Sequence, residues 1–230
     1  MTNPVRGTPV SKFARRLVAG ALLPLHHARL SGQWRSAWTG APLAADGRIL
    51  AWYTRPIVAL LERRNYVGKR VLEFGGGYST AFWCQRGADV TTLEDDAVWF
   101  HKIGDLVQPH APRLFLVDEP LADFPAALLA ERFDVIVVDG LDRAHAARIA
   151  STLLAPDGAI IVDNSEGSWS KIGADHFPIL AALSAPTFQR IDFYGHGLGV
   201  FKPSCTSIFF RDRCFLFDQS DRPRTDTQPR

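Results

Sequence analysis

Three consecutive glycines follow a short apolar run in the segment VLEFGGGYST, residues 71–80. Glycine allows a tight turn and a close approach between a ligand and the main chain, and a helix that starts after the loop offers unpaired N–H groups. We therefore expect a flat or anionic group to bind at Gly75, Gly76 and Gly77. Ser79 is small enough to permit the same close approach.

The spacing of the glycines argues against a nicotinamide dinucleotide. A dinucleotide fingerprint needs glycine at its first, third and sixth positions, and the sixth position counted from Gly75 is Thr80. Glu73, two residues before the first glycine, is suited instead to accept a hydrogen bond from a cation such as an amino group. The alternative is that this carboxylate holds the N–H groups of the loop itself.

Two further acids follow the next apolar runs. Glu94 ends the run DVTTLE, and a carboxylate at the end of a second strand can accept both hydroxyls of a ribose. Asp95 and Asp96 are more simply explained as the N-cap and first-turn acid of the following helix. Asp118, just after RLFLV, is placed either near an adenine amino group or in an exposed turn.

A third group of oxygen-bearing side chains ends two later runs. Asp139 closes FDVIVVD, and Asp163 and Asn164 close GAIIVDN. Neighbouring parallel strands end at the same edge of a sheet, so these side chains should converge where ligands bind. Two carboxylates and an amide suit Mg²⁺. Equally, the two aspartates could cap helices and orient a substrate.

Several side chains could act as a base or shape a pocket. The candidates for a base are Asp139 and His145, with His176 and His196 as further histidines. The aromatic side chains that could line a substrate pocket, or simply pack on the sheet, are Trp52, Tyr53 and Trp169.

Alternating apolar runs and helical stretches must position these residues. The runs RVLEF, DVTTLE, RLFLV, FDVIVVD and GAIIVD are continuously apolar, as strands buried on both faces are. Four segments between them predict crossover helices, the third being LADFPAALLAER and the last ending in a Pro-Asp-Gly turn. The strands FQRIDFYG and TSIFFRD then follow closely enough to be antiparallel. The prediction is a Rossmann-like α/β fold, a mostly parallel seven-stranded sheet with helices on both faces and a C-terminal antiparallel hairpin.

The chain divides into four predicted segments. A basic N-terminal arm covers residues 1–45, and a helical lid covers residues 46–68, where ILAWYTRPIVALLERRN is begun or interrupted by Pro56. The sheet domain covers residues 69–218, and a polar, disordered tail covers residues 219–230.

Charge and composition limit the class of protein. The chain has 230 residues with a net charge of +2, but residues 1–45 hold six basic residues and no acid, which leaves −4 for the rest. That balance argues against a nucleic-acid partner, whereas the arm either contacts an anionic membrane surface or packs as a solvated segment. No apolar stretch is long enough for a transmembrane helix. Three cysteines without paired spacing indicate a reducing, cytoplasmic location.

The segments EFGGGYS and TLE resemble the class I S-adenosylmethionine-dependent methyltransferases, and the resemblance extends over residues 69–211. It is closest to a group of little-characterised bacterial methyltransferases. The resemblance implies that Glu73 and the three glycines hold the methionine part of S-adenosylmethionine, Glu94 the ribose and Asp118 the adenine. Ser79 stands where a third glycine of the pattern is often found.

The resemblance implies methyl transfer to a small-molecule acceptor, such as an oxygen of a sugar or secondary metabolite. The placement of Asp139, Asp163 and Asn164 is similar to the metal site of catechol and caffeoyl-coenzyme A O-methyltransferases, although the lysine those enzymes carry after the first aspartate is missing. Three alternatives stay open: a non-catalytic nucleoside-binding module, a nicotinamide-dependent oxidoreductase, and an aminopropyl transferase.

Overall fold

The structure, a computed structural model, describes residues 9–108, 110–117, 124–140, 142–167, 176–184 and 186–217. Asp118, Trp169 and the predicted tail at residues 219–230 lie outside the described residues. No helix in the described ranges is long and apolar enough to cross a membrane.

A single sheet organises the chain. Its strand order is β3-β2-β1-β4-β5-β7-β6, in which β1 to β5 are parallel and β7 runs antiparallel to both β5 and β6. This order confirms the predicted mostly parallel sheet with a C-terminal antiparallel hairpin. The strands are β1 Arg70–Phe74, β2 Asp89–Glu94, β3 Arg113–Leu116, β4 Phe133–Val138, β5 Leu154–Val162, β6 Gln189–His196 and β7 Pro203–Phe210.

Both faces of the central strands β1, β4 and β5 are buried, which explains why these strands are apolar without alternation. Val71 and Val137 pack on one side with Trp83, whereas Leu72 and Ile136 pack on the other. The helices that flank the strands or precede the sheet are α1 Pro9–Leu30, α2 Gln33–Thr39, α3 Arg55–Leu61, α4 Tyr78–Cys84, α5 Ala97–Leu106, α6 Arg143–Leu153 and α7 His176–Ala182.

Two predicted connections differ from the observed ones. Within residues 124–132, the described part of the segment before β4, the helix is a short 3₁₀ helix, Ala126–Ala130, after Pro125, which has no N–H to continue a helix from upstream. The Pro-Asp-Gly segment lies within β5 instead of forming a turn. A Cβ on Gly158 would come within 2.9 Å of the Asp134 carbonyl oxygen, so glycine lets the two strands approach there.

The segment before the sheet is helical over a shorter range than predicted. Pro56 occupies the first turn of α3, where proline is tolerated, so it begins the helix and residues 49–54 remain non-helical. Thr54 fixes this non-helical stretch because its N–H donates to Thr206 Oγ1 at 3.2 Å and its hydroxyl donates to the Phe193 carbonyl at 2.9 Å. Trp52 and Tyr53 are thereby held at the carboxyl edge of the sheet.

Candidate functional site

The first glycine of the loop is required by two independent features of the backbone. Gly75 has a φ of +87°, and a Cβ at this position would lie 2.6 Å from the Cα of Gly140. Its N–H donates to the Leu93 carbonyl at 2.9 Å, which ties the loop to the end of β2. The chain can therefore leave β1 here, close against the end of β4, only with glycine in place.

The other two glycines have different surroundings. A Cβ on Gly76 would lie 2.5 Å from Thr92 Cγ2, so this side of the loop is closely packed. A Cβ on Gly77 would meet only the Trp99 ring, at 3.3 Å. The Trp99 indole N–H donates to the Gly76 carbonyl at 2.7 Å, which fixes the ring beside the loop.

A cavity of about 230 Å³ opens beside this loop. It lies where β1 and β4 end, the edge at which parallel sheets bind ligands. Aromatic rings form much of its wall: Tyr78 packs edge-on against Trp52 at 5.7 Å and against Trp99 at 6.2 Å between ring centroids. The lining residues are Trp52, Tyr53, Gly76, Gly77, Tyr78, Ser79, Trp99 and Asp139.

Two buried polar atoms at this edge have no hydrogen-bond partner among the described residues. One is Oε1 of Glu73, whose other oxygen accepts from Thr92 Oγ1 at 2.9 Å. The second is the hydroxyl of Tyr53, which lines the cavity. Burial raises the pKa of Glu73 to about 7. Glu73 is fully buried and is not among the residues that line the cavity, so its charge would attract an amino group there through space and not by direct contact in this conformation.

Glu94 already has partners within the protein. Its two carboxylate oxygens accept three backbone N–H groups, from Gly76 at 2.8 Å, Asp96 at 3.0 Å and Asp95 at 3.2 Å. Burial raises its pKa, and the bonds from Asp96 and Gly76 oppose that rise. Glu94 therefore positions the glycine loop, and its binding of a ribose stays a prediction. The N-cap of α5 is Asp96, which was predicted as the first-turn acid; it accepts from the Trp99 N–H at 2.8 Å, and Asp95, the predicted N-cap, precedes it.

Arg143, a residue to which the sequence assigned no role, occupies the centre of the third predicted group. Its guanidinium pairs with Asp139 Oδ1 at 2.7 Å and donates to the backbone carbonyls of Asp139, Gly140 and Asp163. This one side chain therefore joins the ends of β4 and β5. The sequence feature that could have predicted this ion pair is the four-residue separation of Asp139 and Arg143, which is typical of i,i+4 ion pairs.

The two aspartates have different environments. Asp163 is buried, and its Oδ1 accepts from the Thr206 hydroxyl. Burial raises its pKa well above the ordinary range, and the charge of Asp139 raises it further. The side chain of Asp139 keeps 33% of its surface exposed and lines the cavity. Burial raises the pKa of Asp139 too, whereas Arg143 lowers it.

This arrangement does not fit the predicted Mg²⁺ site. The Arg143 guanidinium already neutralises Asp139, Thr206 already donates to Asp163, and Asn164 lies in a turn with a φ of +49°. Across the part of the chain that the structure describes, no three His, Cys, Asp or Glu side chains form a cluster that could hold a metal ion.

Of the predicted histidines with described side chains, neither His145 nor His196 lines the cavity. His145 lies in the first turn of α6, half-exposed, with Nδ1 3.4 Å from the carboxylate of Asp142. His196 ends β6 and is exposed. The backbone of His176 begins α7, and its side chain is outside the described part of the structure.

We predict that Gly77→Ala folds normally but binds ligand more weakly in the cavity. Its backbone φ of 163° is extended, and the new Cβ would lie 3.3 Å from the Trp99 ring, a tight contact that a shift of a few tenths of an ångström relieves, so stability should fall by about 1 kcal/mol. Gly77 and Trp99 both line the cavity, so the methyl group and the displaced ring would change its wall. Urea unfolding and calorimetric titration check the two parts. Gly20→Ala, on an exposed and unobstructed glycine, is the control, and unchanged affinity in Gly77→Ala would contradict the placement of the ligand.

No protein-family model matches this chain, and no curated protein matches its sequence. Solved structures do resemble it. A candidate O-methyltransferase from Klebsiella pneumoniae has 23% identity and a TM-score of 0.55, over 85% of this chain and 94% of that one. An O-methyltransferase from Bacillus cereus, in complex with S-adenosylhomocysteine, has 16% identity and a TM-score of 0.54, over 80% and 91% of the two chains.

A candidate caffeoyl-coenzyme A O-methyltransferase from Staphylococcus aureus has 14% identity and a TM-score of 0.56, over 85% of this chain and 99% of that one. At these identities the likeness concerns the fold, and it agrees with the observed strand order and the glycine loop after β1. The chain therefore has the fold of the class I S-adenosylmethionine-dependent methyltransferases, as its sequence predicted.

Proposed function

We propose that this protein transfers a methyl group from S-adenosylmethionine to a small-molecule acceptor, with an oxygen of a sugar or secondary metabolite as the methylated atom. The observation that carries the proposal is the cavity at the glycine loop, which opens at the carboxyl edge of the sheet beside the end of β1, the strand that holds the buried, unpartnered oxygen of Glu73. The likeness in fold to an O-methyltransferase in complex with S-adenosylhomocysteine supports it.

The residues present fit this cofactor. The charge of the buried Glu73 would attract the amino group of its methionine part, and Gly76 and Gly77 leave room for that part beside the backbone. Trp52, Tyr78 and Trp99 would surround its positive charge with aromatic rings, which attract cations. When bound, S-adenosylmethionine supplies a methyl group activated by the sulfonium, so the protein must chiefly align the acceptor and exclude water.

Asp139 is the group placed to receive the proton of an acceptor hydroxyl. It is the lining residue with a carboxylate, and burial raises its pKa although Arg143 opposes that rise. The Arg143 guanidinium holds this carboxylate in orientation through the 2.7 Å bond to Oδ1. Arg143 thus provides positive charge at the carboxyl edge of the sheet, where Mg²⁺ was one of the two roles considered for the aspartates.

Calorimetric titration with S-adenosylhomocysteine tests the cofactor, with NADH as the competing ligand. We expect binding of S-adenosylhomocysteine, no binding of NADH, and the same affinity with Mg²⁺ present, because Arg143 already compensates Asp139. Turnover is then measured as release of S-adenosylhomocysteine from S-adenosylmethionine with a panel of hydroxyl acceptors. Binding without turnover on any acceptor would support a nucleoside-binding module, and binding of NADH would overturn the proposal.

We predict that Glu94→Ala weakens S-adenosylhomocysteine binding by about 1–3 kcal/mol, through lost hydrogen bonds to a charged acceptor. Part of the loss would come from the loop, because the Gly76 N–H loses its acceptor. Glu94→Gln keeps one acceptor oxygen and should lose less. Asp105→Ala, an exposed acid on α5, is the control. A folded Glu94→Ala protein with unchanged affinity would remove Glu94 from the site.

A further inference from the structure

The N-terminal helix α1 exposes an apolar side to solvent. Phe13 is 63% exposed and Leu17 59%, and Val18 and Leu25 are exposed to a similar degree. At 100° per residue these four side chains fall within an arc of about 140°, on one side of the helix, whereas the exposed Leu23 and Leu30 lie outside that arc. An exposed apolar stripe of this kind indicates a contact with a partner or with lipid.

The basic residues of the same helix lie away from that stripe. Lys12, Arg15 and Arg16 follow the same three- and four-residue spacing, but they fall on the opposite side of the helix. The first half of the helix is therefore amphipathic with a cationic polar side, and further along the same side carries the exposed Leu23 and Leu30. If α1 crossed a bilayer, these charges would enter hydrocarbon, whereas a helix in the plane of the interface keeps them near headgroups.

The following helix adds two exposed tryptophans. Trp34 is 63% exposed and Trp38 86%, and they are four residues apart on α2. Tryptophan combines a large apolar ring with an N–H donor, and it is enriched at membrane–water interfaces for that reason. Exposed tryptophans four residues apart are difficult to explain by the packing of the sheet domain.

The positive charge of residues 1–45 favours an anionic partner. Residues 1–45 hold six basic residues and no acid, whereas the rest of the chain carries −4. A second copy of the chain would bring the same cationic helix, and the two arms would repel each other. An anionic lipid surface instead offers complementary charge to Arg15 and Arg16 and hydrocarbon to Leu17 and Leu25.

We infer that α1 and α2 form a membrane-binding surface for bilayers that contain anionic lipid. Helix α1 lies in the plane of the interface with its apolar side in the lipid. The basic side chains are attracted to the headgroups, and the apolar side chains are buried in the lipid. Both contributions are needed, because either one alone gives weak binding. The surface is separate from the cavity, so this inference does not depend on the proposed function.

Sedimentation of the full chain with vesicles tests the inference. Vesicles of phosphatidylcholine and phosphatidylglycerol in equal parts should bind the protein, vesicles of phosphatidylcholine alone should not, and added salt should weaken binding. Leu17→Glu with Leu25→Glu should abolish binding. Arg15→Gln with Arg16→Gln should weaken it about 30-fold, the effect of two cationic side chains near an anionic surface.

Phe201→Glu is the matched control, since this phenylalanine is 93% exposed and lies outside the arm. It should bind vesicles like the parent protein. Unchanged binding in the Leu17 and Leu25 variant, or equal binding to both kinds of vesicle, would overturn the inference. A dimer in solution that this variant dissociates, seen by analytical ultracentrifugation, would also overturn it by assigning the apolar side to a second copy.

Discussion

Arg143→Met should lower the free energy of unfolding by about 3–5 kcal/mol at pH 8, the usual cost of removing one partner from a buried ion pair. The guanidinium is buried, and it compensates the carboxylate of Asp139 as well as three backbone carbonyls. Methionine fills a similar volume but supplies no donor. Urea unfolding followed by circular dichroism measures the loss.

The pH dependence of this loss separates the ion pair from simple packing. Arg143 lowers the pKa of Asp139, so its removal lets that pKa rise, and the carboxyl group can then take up a proton in the folded state. The destabilisation should therefore be smaller at pH 5 than at pH 8. Arg143→Lys should keep part of the stability because it keeps the charge.

Arg148→Met provides the matched control, because Arg148 is exposed on the same helix. Its effect should stay within about 0.5 kcal/mol. If Arg143→Met were as stable as this control at both pH values, the ion pair between Arg143 and Asp139 would contribute nothing to stability.

The sheet was predictable because its signal is local. Each central strand is a continuous apolar run, such as the one ending at Phe74. Such a run predicts a buried strand from its own residues alone, whatever the rest of the chain contains. The 3₁₀ helix after Pro125 and the start of β5 were predicted wrongly because packing decided them. At Gly158 the approach of two strands overrides the turn preference of Pro-Asp-Gly.

The candidate site was predictable where a residue type alone constrains the backbone. Gly75 is such a residue, because its positive φ and its contact with Gly140 both require glycine. The partners of Arg143 and Glu94 were not predictable, because they depend on where carbonyls and N–H groups from distant segments point after folding. For the same reason the unpartnered hydroxyl of Tyr53 became visible only in the structure.

Glu73→Gln should raise the free energy of unfolding at pH 8 while leaving it nearly unchanged at pH 4. Glu73 is fully buried, and burial raises its pKa from an ordinary 4.5 to about 7. Below pH 4.5 the carboxyl group is protonated in both the folded and the unfolded chain. Between pH 4.5 and 7 the unfolded chain loses this proton first, so the free energy of unfolding of the parent protein falls as pH rises.

The fall should reach about 3 kcal/mol above pH 7, where the folded protein carries a buried charge that glutamine lacks. Urea unfolding at intervals from pH 4 to pH 8 measures the difference between the two proteins. Asp105→Asn, at an exposed site on α5, is the control for a change of charge alone. A constant difference across the whole range would show that Glu73 does not titrate near pH 7.

The charge of ionised Glu73 explains why the protein would keep a buried carboxylate that lowers its stability above pH 7. An ionised Glu73 attracts the amino group of S-adenosylhomocysteine, so the affinity of the parent protein should rise as pH increases through 7 and binding should release a proton. In Glu73→Gln, binding should be weaker and independent of pH in this window. Titrations in buffers of different ionisation enthalpy measure the released proton. Proton release that persists in Glu73→Gln would assign it to another group and leave Glu73 with a purely structural role.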